Sequence, residues 1–181
     1  IWLKGKINII LSIIKKLIGS FNMTEKLKKR AGREQEVLEK FGLDLEVKQL
    51  SASTRTAQEA ADAIGCDVAQ IAKSLVFKGK ETGVPILIIA SGINRVNEKT
   101  VAAELGEKLL RADADFVFNK TGYKIGGVPP VGHKSPPITL IDEDILTFDE
   151  IWAAAGTPNA VFRLTPKILK DITKGKVINI K

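Results

Sequence analysis

Ser74-Leu75-Val76-Phe77-Lys78-Gly79-Lys80-Glu81-Thr82-Gly83-Val84-Pro85-Ile86-Leu87-Ile88-Ile89-Ala90 sets two runs rich in Val, Ile and Leu on either side of a short stretch of turn chemistry. Runs of that length broken by Gly-Lys-Glu-Thr-Gly read as an antiparallel hairpin. The second run, Pro85 to Ile89, has no polar alternation, so its strand is expected to be covered on both faces. A hairpin in the middle of a chain excludes a purely parallel βαβ sheet, and this decides the fold class.

Working outward, short elements of both kinds flank the hairpin. Leu27, Ala31, Val37, Leu38 and Phe41 recur at loose helical spacing, predicting an N-terminal helix over Thr24 to Phe41 with Thr24 as cap and Gly42 as stop. Val47 to Leu50 reads as a strand. Thr56 to Ile64 reads as a helix stopped by Gly65, with Ala57, Ala60, Ala61 and Ile64 on one face. Beyond the hairpin, Asn97 caps a helix running to Leu105, a short segment lies near Leu109-Leu110, and Asp113 to Asn119 is helical. Strands are expected at Ile138 to Ile141, Ala160 to Leu164 and Val177 to Ile180. Helices are expected at Phe148 to Ala155, stopped by Gly156, and at Pro166 to Ile172. Helices and strands alternate, but the hairpin and the short spacings require mixed strand directions, so the whole reads as an α+β (mixed α/β) single domain.

The 181 residues suit one domain with its own core, and 44% hydrophobic with 27% charged residues is a globular composition. A formal charge of +7 invites a nucleic-acid reading, but Lys4, Lys6, Lys15 and Lys16 stand in the first 22 residues without an acid. With those four set aside, 24 basic residues face 21 acidic ones, a surplus of three. The excess therefore belongs mostly to the leader. Residues 1–22 precede the single methionine, Met23, and are read as a leader outside a domain spanning 23–181. The apolar run Ile7 to Ile14 is too short to span a bilayer and is followed by Lys15 and Lys16, which leaves a surface-lying amphipathic helix as the alternative. No membrane is expected for the core domain. One cysteine, Cys66, excludes an internal disulfide framework and fits a reducing, cytoplasmic compartment.

Two segments stand out chemically. Thr121-Gly122-Tyr123-Lys124-Ile125-Gly126-Gly127-Val128-Pro129-Pro130-Val131-Gly132-His133 is too rich in glycine and proline for a regular helix or central strand. Such a loop presents N–H groups in a fixed concave array suited to a carbonyl oxygen or phosphate, or else it is a structural turn. Ile71-Ala72-Lys73-Ser74-Leu75 puts a lysine at the mouth of an apolar strand, where it either snorkels to solvent or faces a cleft. A nucleotide site at the glycine loop is disfavoured, because neither Gly-x-Gly-x-x-Gly after a strand nor a Walker lysine pattern is present.

Together with Ser53-Thr54-Arg55-Thr56-Ala57-Gln58-Glu59-Ala60-Ala61 and Ser91-Gly92-Ile93-Asn94-Arg95-Val96, these segments closely resemble the YbaK/EbsC family of prolyl-tRNA-synthetase-associated aminoacyl-tRNA deacylases. The resemblance runs from about Leu38 to Lys181. Its most specific parts are the Lys73 segment, Gly127-x-x-Pro130-x-Gly132 and Ala155-Gly156-Thr157-Pro158-Asn159. It implies a mixed, largely antiparallel sheet flanked by helices. It also implies a trans-editing hydrolase acting on the acceptor end of mischarged tRNA, in the first place tRNA-Pro bearing a small non-cognate amino acid, with prolyl-tRNA synthetase as a partner and with no cofactor or metal. Lys73 matches the family's essential lysine, and Gly127 to Gly132 matches its glycine-proline loop. On that basis Lys73 and Gly127 are the expected catalytic groups. Thr54, Arg55, Thr56, Asn94, Gly126, Pro130, Gly132 and His133 are the expected substrate contacts.

A lone His133 and a lone Cys66 supply no Ser-His-Asp or Cys-His set, so the expected chemistry is attack by a positioned water. Thr54 or Thr56 has a second reading as a helix cap, and His133 as a structural surface residue. At Ala154 the chain departs from members directed at cysteinyl-tRNA, which carry serine there, and alanyl, seryl or threonyl esters become reasonable substrates. The alternative function is a non-catalytic tRNA- or synthetase-binding module of the same fold.

Overall fold

The computed structural model describes residues 32–51 and 54–181. The leader, the Thr24 cap, the first part of the expected N-terminal helix and Ser53 lie outside the described residues.

Helix α1 covers 32–40. The chain then runs β1 (Val47–Gln49), α2 (Ala57–Ile64), β2 (Ile71–Gly79), β3 (Pro85–Ser91), α3 (Glu98–Leu105), β4 (Leu109–Arg111), α4 (Ala114–Thr121), β5 (Ile138–Asp142), β6 (Ile151–Ala154), β7 (Ala160–Leu164), α5 (Pro166–Thr173) and β8 (Lys176–Ile178). The helix ends follow their cap chemistry. Thr56, Asn97, Asp113 and Thr165 each accept a first-turn N–H, and Gly65, Gly106 and Gly122 close α2, α3 and α4 in the left-handed conformation.

The sheet is ordered β1-β7-β6-β2-β3-β5-β8, with β4 pairing β2 off this path. Antiparallel pairs (β1·β7, β6·β7, β2·β3, β2·β4) outnumber the parallel ones (β2·β6, β3·β5, β5·β8). The expected mixed sheet flanked by helices is therefore present, and the hairpin at its centre pairs Ala72 with Ser91 through to Lys78 with Pro85.

Side-chain alternation divides the core between the two sheet faces. Ala72, Leu87, Ile89, Ile141, Ala153 and Phe162 point to one face, where Leu38 of α1, Val117 of α4 and Leu169 of α5 cover them. The opposite face carries two separate clusters. Ile71, Trp152 and Val161 pack under Ala60 and Ala61 of α2, while Ile86, Ile88 and Leu140 pack under Val101 of α3. Each isoleucine fully buried in β3 contributes about 1.5–3 kcal/mol to this arrangement.

One element departs from expectation. Phe148 to Ala155 forms no helix; its central part is strand β6, parallel to β2 through Ile71↔Trp152 and antiparallel to β7 through Ile151↔Leu164. Ile151 and Ala153 enter one core and Trp152 the other, so the strand is covered on both faces and shows no polar alternation. An alanine-rich apolar run of that kind has helical propensity, which pairing on both edges overrides.

Candidate active site

Strand β2 is paired unevenly. Its start, Ile71–Ala72, is held by β6 and its end, Phe77–Gly79, by β4; between them Lys73 to Val76 have a strand neighbour only on the β3 side. Over that open edge lies a cleft of about 540 Å³, bounded by the start of α2, by β2, by the end of β6 and by the glycine loop. The volume falls within the roughly 300–1,000 Å³ of small-molecule sites.

Lys73 rises from the sheet face that carries two clusters, between Ile71 under α2 and Leu75 beside α3. Its stem is half-buried, and Nζ donates to the main-chain carbonyl of Asn94 at 2.6 Å. Burial lowers its pKa from the ordinary lysine value; the nearby Asp142 charge opposes this, and Arg95 adds to it. The side chain of Asn94 does not line the cleft. Its amide donates to Asp142 at 2.8 Å and to Asp144 at 2.7 Å, so only its carbonyl belongs to the Lys73 environment.

Thr54, Arg55 and Thr56 all border the cleft. Thr54 is also tied to the 155–159 turn, with its N–H and hydroxyl donating to the Pro158 carbonyl at 2.6 and 2.9 Å. Thr56 is the α2 N-cap, accepting from the Glu59 N–H at 3.1 Å. The cap reading thus holds for Thr56 alongside its place at the rim.

The loop residues divide into a front and a back. Gly126 borders the cleft at φ +87 and lies against the Arg55 side chain. Gly127 does not border it. Its N–H, expected to meet an oxyanion, donates to the Lys124 carbonyl at 3.1 Å, and a Cβ there would come within 2.8 Å of the Thr157 backbone. Glycine at 127 therefore serves close packing of the loop on the Thr157 turn. Pro130, Gly132 and His133 also sit away from the cleft, behind the loop. His133 Nε2 lies 2.8 Å from the Pro129 carbonyl, and burial lowers its pKa, so the neutral ring donates this bond at neutral pH. Gly132, at φ +79, passes the Tyr123 hydroxyl where a Cβ would approach to 2.8 Å. Tyr123 in turn donates to Glu34 at 2.7 Å.

Ala154, singled out by its departure from the family pattern, lies on the cleft wall, where the register that pairs Ala72 with Ala153 brings it alongside Lys73. Other contributors had no sequence signal strong enough to single them out. Trp152 and Val161 complete the apolar wall with Ala154. Among the described residues the Ser74 hydroxyl, buried at the same open edge, has no hydrogen-bond partner. Asp142 was hidden as the last residue of an apolar strand. Cys66 lies outside the cleft, and burial raises its pKa, keeping it a thiol. Among the described residues no cluster of three or more His, Cys, Asp or Glu is placed to hold a metal, and no helix is long and apolar enough to cross a membrane.

Comparison with known proteins gives the family. The chain is 34% identical over 132 residues to the uncharacterized protein YwhH of Bacillus subtilis (73% of this chain, 83% of YwhH). It is 27% identical over 126 residues to a candidate Cys-tRNA(Pro)/Cys-tRNA(Cys) deacylase, EbsC, of Enterococcus faecalis (69% of this chain, 76% of EbsC). A crystal structure described as a candidate trans-editing enzyme for prolyl tRNA synthetase superposes with a TM-score of 0.80 at 47% identity, covering 84% of this chain and 96% of that one. The family model of the aminoacyl-tRNA editing domain matches residues 51–172, a span holding Lys73, the glycine loop and the β6 wall, and the chain belongs to that YbaK-type editing family.

Proposed function

We propose that this chain hydrolyses the ester bond of mischarged aminoacyl-tRNA, with tRNA-Pro bearing a small non-cognate amino acid as substrate. The observation that carries the reading is the convergence of Lys73 and Gly126 on one cleft over the open edge of β2.

In the proposed reaction the terminal aminoacyl-adenosine enters the cleft with its side chain against Ala154, Trp152 and Val161. A water adds to the ester carbonyl, the ribose oxygen leaves with a proton, and the products are the free amino acid and intact tRNA. The negative charge that develops on the carbonyl oxygen needs preorganised donors. Gly126 takes this role in place of Gly127, whose N–H is already engaged with Lys124. Loss of one such donor costs about 2.7–4 kcal/mol in other enzymes. Lys73, as an ammonium, orients the substrate through its terminal phosphate or ribose and adds positive charge beside the developing anion. No side-chain nucleophile is needed: Cys66 is outside the cleft and His133 is committed to Pro129.

Assignment to tRNA-Pro, with prolyl-tRNA synthetase as a partner, is supported by the likeness to EbsC, described as a candidate Cys-tRNA(Pro) deacylase, and to the candidate trans-editing enzyme for prolyl tRNA synthetase. A small amino acid is supported by the apolar wall around Ala154. The test is a panel of mischarged tRNA-Pro and tRNA-Ala species, with and without prolyl-tRNA synthetase. Release of a small amino acid, abolished in Lys73→Ala, is the expected result. If every species stays intact, hydrolysis is excluded and the chain acts as a non-catalytic tRNA- or synthetase-binding module.

A further inference from the structure

We propose that Asp142 is the positioning residue for Lys73: through Asn94 and the Ser91–Asn94 turn its carboxylate sets where the ammonium sits in the cleft, and it supplies the counter-charge. The proposal rests on the reading of Lys73 as the substrate-orienting cation.

Asp142 ends β5 and is fully buried. A buried carboxylate is costly unless its oxygens are satisfied, and here neutral donors satisfy it. Oδ2 accepts from the Ser91 N–H at 3.0 Å and from the Asn94 amide at 2.8 Å, while Oδ1 accepts from the Asp144 N–H at 3.2 Å. Among the described residues no ion pair reaches it. Two of its three bonds hold the two ends of one turn, which Asn94 N closes on the Ser91 carbonyl at 3.0 Å. That turn aims the Asn94 carbonyl at Lys73 Nζ, 2.6 Å away. The chain of contacts thus runs from the carboxylate to the turn, and from the turn to the ammonium.

The other charges nearby do not take over this part. Asp144 shares the Asn94 amide but is paired with Lys181 at 2.7 Å. Arg95 acts on Lys73 in the opposite sense, and Arg55 reaches the cleft from the α2 side. Asp142 is the carboxylate whose charge opposes the effect of burial on Lys73.

The test is Asp142→Asn in the full chain, with two readouts. Competitive acetylation followed by mass spectrometry reads the titration of Lys73 directly, without any assumption about activity. Deacylation of the mischarged tRNA against pH, corrected for uncatalysed hydrolysis, reads the consequence. Lys73 is expected to titrate at lower pH than in the parent chain, the alkaline limb of kcat/KM to move in the same direction, and kcat/KM to fall about 10- to 100-fold, as for a displaced orienting group. A folded Asp142→Asn chain with parental Lys73 titration and parental turnover overturns the proposal. Should Asp142→Asn not fold, Asn94→Ala decides: a comparable loss in kcat/KM at unchanged melting temperature supports it, and parental kcat/KM overturns it. If the parent chain deacylates nothing, the proposed function has failed, and the Lys73 titration alone then judges the role of Asp142.

Discussion

Tyr123 and Glu34 form a buried hydrogen bond of 2.7 Å that pins the back of the glycine loop to α1. Burial pushes the Glu34 carboxyl up from 4.5 to about 7, against the lowering effects of the Tyr123 bond and the Arg33 charge. Among the described residues its second oxygen has no partner. A folded-state pKa above the unfolded one means that the unfolded chain releases the proton first as pH rises. Stability from this group is thus full below about 4.5, falls between 4.5 and 7, and levels off above. The shift corresponds to about 3 kcal/mol. Urea unfolding followed across this window should show the decline in the parent chain and a flatter profile in Glu34→Gln, which keeps an acceptor for Tyr123. Equal slopes would assign the pH dependence to other groups.

Lys73→Ala should lower kcat/KM by about 10²–10³-fold, the scale of losing one preorganised electrostatic contact in a water-poor site. Lys73 is only half-buried and, among the described residues, its one hydrogen bond is to a main-chain carbonyl, so melting temperature should move little. A drop in activity that tracks a drop in melting temperature would reassign Lys73 to structure.

Gly126 and Gly127 are neighbours with different duties, and alanine separates them. At 126 the added methyl comes no closer than 3.5 Å to its nearest neighbour, the Arg55 side chain, but φ +87 strains any L residue by about 1–2 kcal/mol. At 127 the methyl meets the Thr157 backbone at 2.8 Å, and backbone yields poorly. Gly127→Ala should therefore lose more stability in thermal melts, while Gly126→Ala should lose more activity per degree of melting temperature lost. The reverse order would return the oxyanion donor to Gly127.

The hairpin was legible because Gly-Lys-Glu-Thr-Gly between two apolar runs rich in Val, Ile and Leu reads as a turn between paired strands, and capped helices such as Asn97 to Leu105 were legible because cap chemistry is local. Strand β6 was not, since its identity comes from neighbours 81 positions back in β2 and just ahead in β7. The site divides in the same way. Lys73 was visible as a charge in an apolar strand, and the loop by its glycine and proline content. Which glycine faces the cleft depends on one hydrogen bond, Gly127 to Lys124, and on contact with the distant Thr157 turn, neither of which leaves a mark in local sequence. Asn94 shows the same limit. Its residue type suggested a substrate contact, whereas its amide is taken up by two carboxylates nearly 50 residues away.

Ala154 sits beside Lys73 on the cleft wall and is only partly covered, so its methyl marks space available to the substrate side chain. Enlarging it should act on the substrate in proportion to size, because a filled pocket discriminates by steric overlap at roughly 1–3 kcal/mol per methylene. Ala154→Val is therefore expected to leave alanyl ester hydrolysis within about threefold while reducing that of a larger ester such as threonyl about tenfold or more. The small change in volume at a partly exposed strand end should leave the fold intact, which a thermal melt verifies. Single-turnover deacylation of tRNA-Pro charged with alanine, serine and threonine measures the series. A uniform loss across all three would mean that residue 154 acts on Lys73 or the backbone, and that another part of the cleft receives the side chain.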